Sequence, residues 1–289
     1  MNKEKRHFSA GYALICGIVL LFTFICLYPF LYVIAMSFSS TNAVLSGKVR
    51  IFPIEFQINA YQEILKKKQI WSSMWVTIKV TLAGTLLSLV LTIAAAYVLS
   101  KKKLKGRKIL SSFILFTMYF GGGMIPTFLV VKNLGLYNSL GALFIPNAIS
   151  VFNFIVMRTF FREIPESLEE AAYLDGANDF QILIRIVLPL SLPIIATIGL
   201  FYAVGYWNDY FSALLYIQDP NKYSLQLRLR SLLFTEELNS TSSEAVGTPV
   251  MAESLKMASI VVGTLPIIAI YPWLQKYFVK GAMLGSVKG

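Results

Sequence analysis

Long apolar stretches alternate with short polar ones along the whole chain. Six of the apolar runs cover residues 12–38, 72–99, 109–132, 141–161, 190–218 and 256–279. Each holds, or nearly holds, the ~20 apolar residues that carry a helix across the hydrocarbon core of a bilayer. The pattern therefore predicts an all-α, polytopic membrane protein with six transmembrane helices. The first run is too long for a signal-peptide core and lacks a small-residue cleavage site, so it reads as a retained helix. Two polar segments are long enough to fold, 39–71 and 219–254. Within the first, "INAYQEILKKK" has the pattern of a short amphipathic helix at the membrane surface. Within the second, "NSTSSEAVGTP" is turn-rich and reads as a mobile loop, and its Asn239-Ser240-Thr241 sequon carries little weight. No repeat, low-complexity tract or separate soluble domain interrupts the series. The expected organisation is a cytoplasmic tail over 1–11 and one transmembrane domain over 12–289. Its core covers about 72–280, its cytoplasmic loop 162–189, and its outer segments 39–71 and 219–254.

Charge orients the helices. The segment 100–108 carries Lys101, Lys102, Lys103, Lys105, Arg107 and Lys108, whereas 133–140 carries no charge. Cytoplasmic loops are rich in Lys and Arg, so the N-terminus, 100–108, 162–189 and the C-terminus with Lys276, Lys280 and Lys288 are expected inside. Lys48, Arg50 and Lys66 to Lys68 then fall outside, and the stronger contrast outvotes them.

Composition agrees, with 56% hydrophobic and 14% charged residues. Mean hydropathy is +0.64. The net charge of +11 does not indicate nucleic acid, because the cations cluster beside apolar runs. Catalytic and metal chemistry are poorly represented. Cys16 and Cys26 are separated by about 15 Å of helix, too far for a disulfide. The single histidine, His7, lies in a basic tail, so no metal site is expected. The chain lacks a phosphate-binding G-x-x-x-x-G-K-[ST] loop, H-E-x-x-H and G-x-S-x-G. Intramembrane carboxylates are scarce, which disfavours a proton-coupled carrier or a channel. The chain reads as a non-catalytic conduit, with no cofactor of its own, that another protein powers.

One segment departs from the apolar pattern. Six of the fifteen acidic residues fall between Glu163 and Asp179, and no other carboxylate lies between Glu63 and Glu163. Pro165 suits a first helical turn, and Glu163, Glu166 and Glu169 suit its positive end. Ile164, Leu168, Ala171 and Ala172 form a helical stripe. Gly176 falls where a left-handed cap is needed, and Asn178 or Asp179 can cap a second helix through Ile182 and Ile186. Pro189 and Pro193 mark its break and return to the membrane. The product is a helix–turn–helix knuckle. A plain capped loop, with an Arg162–Glu166 pair, is the simpler alternative.

The literal residues favour the first. "EAAYLDGA" (170–177) followed by Ile186, Leu188 and Pro189 resembles the EAA signature of ABC-importer permease subunits. "AAAYVLS" (94–100), "FFREIPESLEEAA", "YWNDYFSALLY" and "GGGMIPTFLVVKNLGLYNS" resemble the carbohydrate-type, lipoprotein-dependent oligosaccharide permeases of that family. The resemblance implies the type I importer fold and an ATPase dimer docked below. Glu170 would meet a basic group of that ATPase, Ala171 and Ala172 would pack in its cleft, and Asp175, Gly176 and Ala177 would hold the turn. Leu188 and Pro189 would close the motif. ATP and Mg are then expected on the ATPase alone.

The fifth run carries Tyr202, Tyr206 and Asp209 on one helical face, flanked by Trp207 and Asn208. Aromatic rings beside hydrogen-bonding groups suit a sugar, and the same stripe suits packing between helices. In maltose-type importers the matching stretch of the partner permease contacts sugar. Lys79 is predicted at the same depth as Asp209 and expected to approach it, since an unpaired buried charge is costly. In "YFGGGMIP" (119–126), Gly121, Gly122, Gly123 and Pro126 interrupt the third run. They read either as close packing with a kink or as a broken helix that gates the path. The expected protein is thus the permease subunit of a prokaryotic plasma-membrane importer for an oligosaccharide or related solute. Its partners are a second, different permease, an ATPase dimer, an extracellular solute-binding lipoprotein and membrane lipid, with no nucleic acid. A peptide, polyamine or phosphonate importer is the nearest alternative, and a non-transport scaffold or sensor the more distant one.

Overall fold

Helices follow the apolar runs wherever glycine and proline leave them uninterrupted. The computed structural model describes residues 10–232 and 253–269, and among these it contains helices and turns but no strand. The described residues form two units: 10–68 with 229–232 and 253–265, and 69–228 with 266–269. His7, the sequon at Asn239, Lys276, Lys280 and Lys288 lie outside the described residues, as does 270–279 of the sixth run.

In the first unit α1 spans Ala10–Ser37, and its apolar side chains from Leu14 to Phe30 are mostly exposed. A helix apolar all round belongs in lipid or a protein interior. Ser40 caps α2 (Thr41–Leu45) by accepting the Ala43 N–H at 3.2 Å. The amphipathic stretch becomes α3 (Asn59–Lys66), which buries Ala60 and Ile64. Tyr61 anchors it, with its ring stacked on Phe38 at 4.7 Å and its hydroxyl 2.8 Å from Ser37 Oγ.

The second unit is built on α4 (Lys68–Ser100), which has no proline and only one glycine, Gly84. At about 1.5 Å per residue its 33 residues span roughly 50 Å. The third run forms two helices, α5 (Arg107–Tyr119) and α6 (Met124–Asn133), bent by 115° across the glycines. In the fourth run the chain makes a 3-10 turn at Leu140–Leu143 before α7 (Val151–Glu163) begins under a Ser150 cap. The acidic segment forms α8 (Glu166–Leu174) and α9 (Asp179–Ile182). From α9 the helix continues through a π turn at Leu183–Val187 into α10 (Leu188–Leu190). The fifth run forms α11 (Leu192–Asn208), ends at Asp209, and restarts as α12 (Phe211–Tyr216). Residues 225–232 form α13 and residues 253–269 form α14, while "NSTSSEAVGTP" lies outside the described residues.

Among the described residues, α4 and the Leu14–Ser37 part of α1 are the single helices with the length and hydropathy to cross a bilayer, or four spans if each bent pair counts as one. In the third, fourth and fifth runs the interruption has a local cause. Three glycines break the third, Pro146 delays the helix of the fourth, and Asp209 ends that of the fifth. The core of this unit gathers Ala96, Tyr97, Phe154, Met157, Ile182, Ile198, Tyr202 and Tyr206 from α4, α7, α9 and α11.

Candidate coupling knuckle and substrate-path groove

The knuckle follows from four local instructions in the sequence. Pro165 is the N-cap residue of α8, and Glu166 and Glu169 occupy its first turn, where carboxylates complement the helix dipole. Asp175 is the C-cap and Gly176 adopts φ +81°, a left-handed conformation that a Cβ would penalise. Asn178 and Gln181 form a capping box at the start of α9, with bonds of 2.9 and 3.0 Å. Pro189 does not end the helix. The ring of a proline clashes with the carbonyl four residues back, here Arg185, and that residue lies inside the π turn that absorbs the misfit. The chain bends later, by 83° around Ser191.

Among the residues assigned to the knuckle, Ala172 and Ala177 pack against the core, and Leu188 is half-buried. Glu170, Ala171, Asp175, Gly176 and Pro189 are exposed. Leu168 is also exposed, so the expected apolar stripe is narrower, formed by Ile164 and Ala172. The acid that the chain itself holds is Glu169, which pairs with Lys101. Glu166 pairs with Lys102 at 2.8 Å rather than with Arg162, because the end of α4 presents three lysines to α8. Lys101 also stands 4.1 Å over the Tyr97 ring, and the Tyr97 hydroxyl donates to the Asp179 carbonyl at 3.1 Å. Tyr173 donates to the Asp179 carboxylate, tying α8 to α9. Burial opposes the Lys101 charge, yet the bonds to Glu169 and Tyr97 and their charges outweigh it, so its pKa lies above the usual lysine value. The hydrogen bond from Lys102 holds the Glu166 carboxyl below the usual range. Bonding to Asp179 raises the Tyr173 phenol. A cleft of about 430 Å³ opens beside these pairs, bordered by Leu104, Phe161, Arg162 and Glu170.

A second concavity, a groove of about 680 Å³, lies along α11 and is lined by Asn147, Asn153, Tyr202, Gly205, Asn208 and Asp209 among others. Tyr202 and Tyr206 are buried, and their hydroxyls are occupied within the chain. Tyr206 meets Ser88 Oγ at 2.8 Å; Tyr202 meets Thr92 Oγ1 at 2.8 Å and accepts the Ser150 N–H at 2.9 Å. Their rings bind α11 to α4, while Asn208 is exposed and Asp209 half-buried. Trp207 is buried. Asp209 forms no direct ion pair with Lys79. Its carboxylate instead accepts the Ser212 N–H at 3.0 Å, because the start of α12 offers a donor without a helical partner. Lys79 is exposed on α4.

At the glycine break Gly123 has φ +85° and all of Gly121, Gly122, Gly123 and Pro126 are exposed. A Cβ at Gly122 or Gly123 would meet only Pro126, at 3.9 Å, and one at Gly121 would meet nothing within 4 Å. Close packing among the described residues therefore does not explain these glycines, and backbone conformation does so at Gly123. Sequence reasoning missed the buried stripe Ser73, Thr77, Gly84, Ser88, Thr92 and Ala96 on α4, although its near-fourfold spacing of small residues was legible. It also missed Asn147 and Asn153, which no local pattern distinguishes.

Comparison with known proteins decides the family. The profile of the family described as "Binding-protein-dependent transport system inner membrane component" matches residues 88–283, from the middle of α4 through the knuckle and beyond. The chain belongs to this family. The permease is 48% identical to the polygalacturonan/rhamnogalacturonan transport system permease protein YtcP of Bacillus subtilis, over 96% of this chain and 97% of that one. It is 46% identical to protein LplC of the same organism, over 90% and 89%. The permease also matches a chain of a bacterial ABC transporter involved in the import of the acidic polysaccharide alginate. That match has a TM-score of 0.84, 36% identity and coverage of 95% and 100%. A second chain, from the alginate transporter in complex with alginate pentasaccharide-bound periplasmic protein, shares the fold at a TM-score of 0.62 and 16% identity. The permease is thus an inner-membrane subunit of the ABC-importer class, and its ATPase is a separate partner.

Proposed function

We propose that this permease forms half of the path of an ATP-driven importer for glycan oligosaccharides, and that its knuckle receives the motion of the ATPase. The observation that carries the cargo assignment is the 48% identity, across nearly the whole chain, to a polygalacturonan/rhamnogalacturonan permease. In this reading the chain is one transmembrane domain of six spans with both ends in the cytoplasm. The bent α5–α6 pair serves as one span, and the lysines of 101–108 set the cytoplasmic side. Exposed Glu170 and Ala171 face the ATPase, and Gly176 sets the turn between the two arms. Solute passes along the α11 groove, where Asn208 and Asp209 supply hydrogen bonds beside the aromatic wall. Lys79 lies along the same path, and Gly121 to Pro126 form a hinge. ATP and Mg bind the partner ATPase, and an extracellular binding protein delivers the solute to this permease and a second one.

The test uses the assembled transporter with its solute-binding protein in lipid vesicles. Galacturonan or rhamnogalacturonan oligosaccharides are expected to stimulate ATP hydrolysis and to accumulate inside, and Glu170→Lys to abolish both. Stimulation by peptides or polyamines but by no glycan would overturn the cargo. Full coupling in Glu170→Lys would overturn the role of the knuckle acid.

A further inference from the structure

The core of the permease leaves one charged cluster unexplained, at the packed ends of α5 and α7. These helices contact each other. Each contributes polar groups at i and i+4: Arg107 and Ser111 from α5, Arg158 and Arg162 from α7. The four side chains form two rungs. In one, Arg158 Nη1 donates to Ser111 Oγ at 2.8 Å. In the other, Arg107 and Arg162 are both near enough to repel Arg158.

Three guanidiniums are gathered here, and none has a carboxylate partner among the described residues. Arg107 makes one long bond, from Nη1 to the Lys101 carbonyl at 3.5 Å. Arg158 does not stretch toward water as a snorkelling side chain does. Its head is turned against the protein, 5.4 Å above the Phe154 ring, and its Nε is buried without a hydrogen-bond partner. Like charges held together without a carboxylate describe a site made for an anion. The surroundings specify what kind. Beside the cluster α5 exposes Ile109, Leu110, Phe113 and Phe116, a continuous apolar flank on the same helix. A ligand that satisfies both surfaces carries a phosphate and hydrocarbon chains.

We propose that Arg107, Arg158, Arg162 and Ser111 form a binding site for the phosphate of an anionic phospholipid, with its acyl chains along α5. The orientation argued above places the site in the cytoplasmic leaflet, but the binding itself does not depend on that orientation. Arg158 offers the phosphate its remaining outward donor, Nη2, while Ser111 holds Nη1. Arg107 and Arg162 close on the phosphate from the two helices, which turns their repulsion into shared attraction. A lipid bound there bridges α5 to α7, and α7 leads directly into the knuckle.

Native mass spectrometry of the detergent-purified complete transporter tests this, with titration of phosphatidylglycerol, phosphatidylcholine and inorganic phosphate. Phosphatidylglycerol is expected to bind in preference to phosphatidylcholine. A cation near an anionic lipid surface contributes about fivefold, so Arg107→Gln with Arg162→Gln should weaken that binding about 25-fold. Both positions lie at the rim, so the fold does not rest on them, and Lys132→Gln, at the far end of α6, should leave the affinity unchanged. Arg158→Lys, which keeps the charge and loses the guanidinium that Ser111 holds in place, should weaken binding several-fold with an unaltered melting temperature. Equal binding of the two lipids, or an unweakened double variant, would overturn the site. Displacement of phosphatidylglycerol by equimolar inorganic phosphate would assign it to a free anion instead. Loss of the ATPase subunit from the double variant, with lipid retained, would assign these arginines to a protein contact.

Discussion

Glu169→Gln is the sharpest test of how the knuckle is held. The Lys101 and Glu169 side chains are only 22% and 19% exposed, whereas those of Lys102 and Glu166 are 64% and 57% exposed. An exposed pair is screened by water and contributes little. A hydrogen bond to a charged group contributes about 1.5–3 kcal/mol, and stripping one partner from a fully buried pair costs about 3–5 kcal/mol. The Lys101–Glu169 pair lies between these limits, so Glu169→Gln should release α8 by about 2 kcal/mol, roughly thirtyfold in its local opening equilibrium. Hydrogen exchange of the α8 amides in the assembled transporter reads this directly, and Glu166→Gln should shift the same amides far less. The effect has a pH signature. Because the Lys101 pKa is raised on folding, its contribution is complete below the ordinary lysine value of 10.5 and is lost as pH rises through the raised one. Wild-type α8 should therefore loosen only above about pH 10.5, and Glu169→Gln should lack that step. Equal exchange in Glu169→Gln and wild type, or equal effects of the two glutamines, would refute the reasoning.

Other expectations follow from single contacts. A Cβ on Gly84 would lie 2.8 Å from Tyr206 Cε2 and 2.9 Å from Phe144 Cβ, while one on Gly205 meets nothing within 4 Å. Gly84→Ala should therefore lower stability by about 1–3 kcal/mol and Gly205→Ala should not, as thermal unfolding in detergent will distinguish. Gly176→Ala forces a side chain into φ +81° and should cost about 1–2 kcal/mol, seen as faster exchange at the α8–α9 turn. Asp209→Ala removes the acceptor of the Ser212 N–H and should cost about 1 kcal/mol. Asp209→Asn, which keeps an acceptor oxygen, should melt near wild type.

The legible features were those encoded by neighbours in the chain. The knuckle's proline, glycine and Asn178 each act within four residues, so their roles followed from spacing alone. The apolar runs gave α1 and α4 for the same reason. Pairings between helices were less accessible. Glu169 and Lys101 are 68 positions apart, and nothing near Glu169 distinguishes it from Glu166 or Glu170. Pro189 misled because a proline signals a break only where the helix cannot widen, and the π turn before it does so. Asp209 shows another local effect. A carboxylate on an apolar run suggests a charge partner, but a helix restart two residues later supplies N–H donors that need none.

α4 links the two sites. Its C-terminal end holds both arms of the knuckle, through Lys101 to Glu169 and through Tyr97 to Asp179. Nine and thirteen residues earlier, roughly 14 and 20 Å along the axis, Thr92 and Ser88 hold Tyr202 and Tyr206 beside the groove. No proline lies between, and the only glycine of α4, Gly84, precedes this stretch, so it should move as one rod. Contiguity alone does not establish coupling, and a double-mutant cycle supplies the missing measurement. Glu169→Gln and Tyr206→Phe are far enough apart that their effects on stability should add within about 0.5 kcal/mol. Their effects on solute imported per ATP hydrolysed should not add. Once either end of the rod is released, motion of the knuckle no longer reaches the groove, and releasing the other end removes little more. Additivity in both quantities would show that α4 does not carry the motion, leaving the path through α9, the π turn and α11 as the mechanical link.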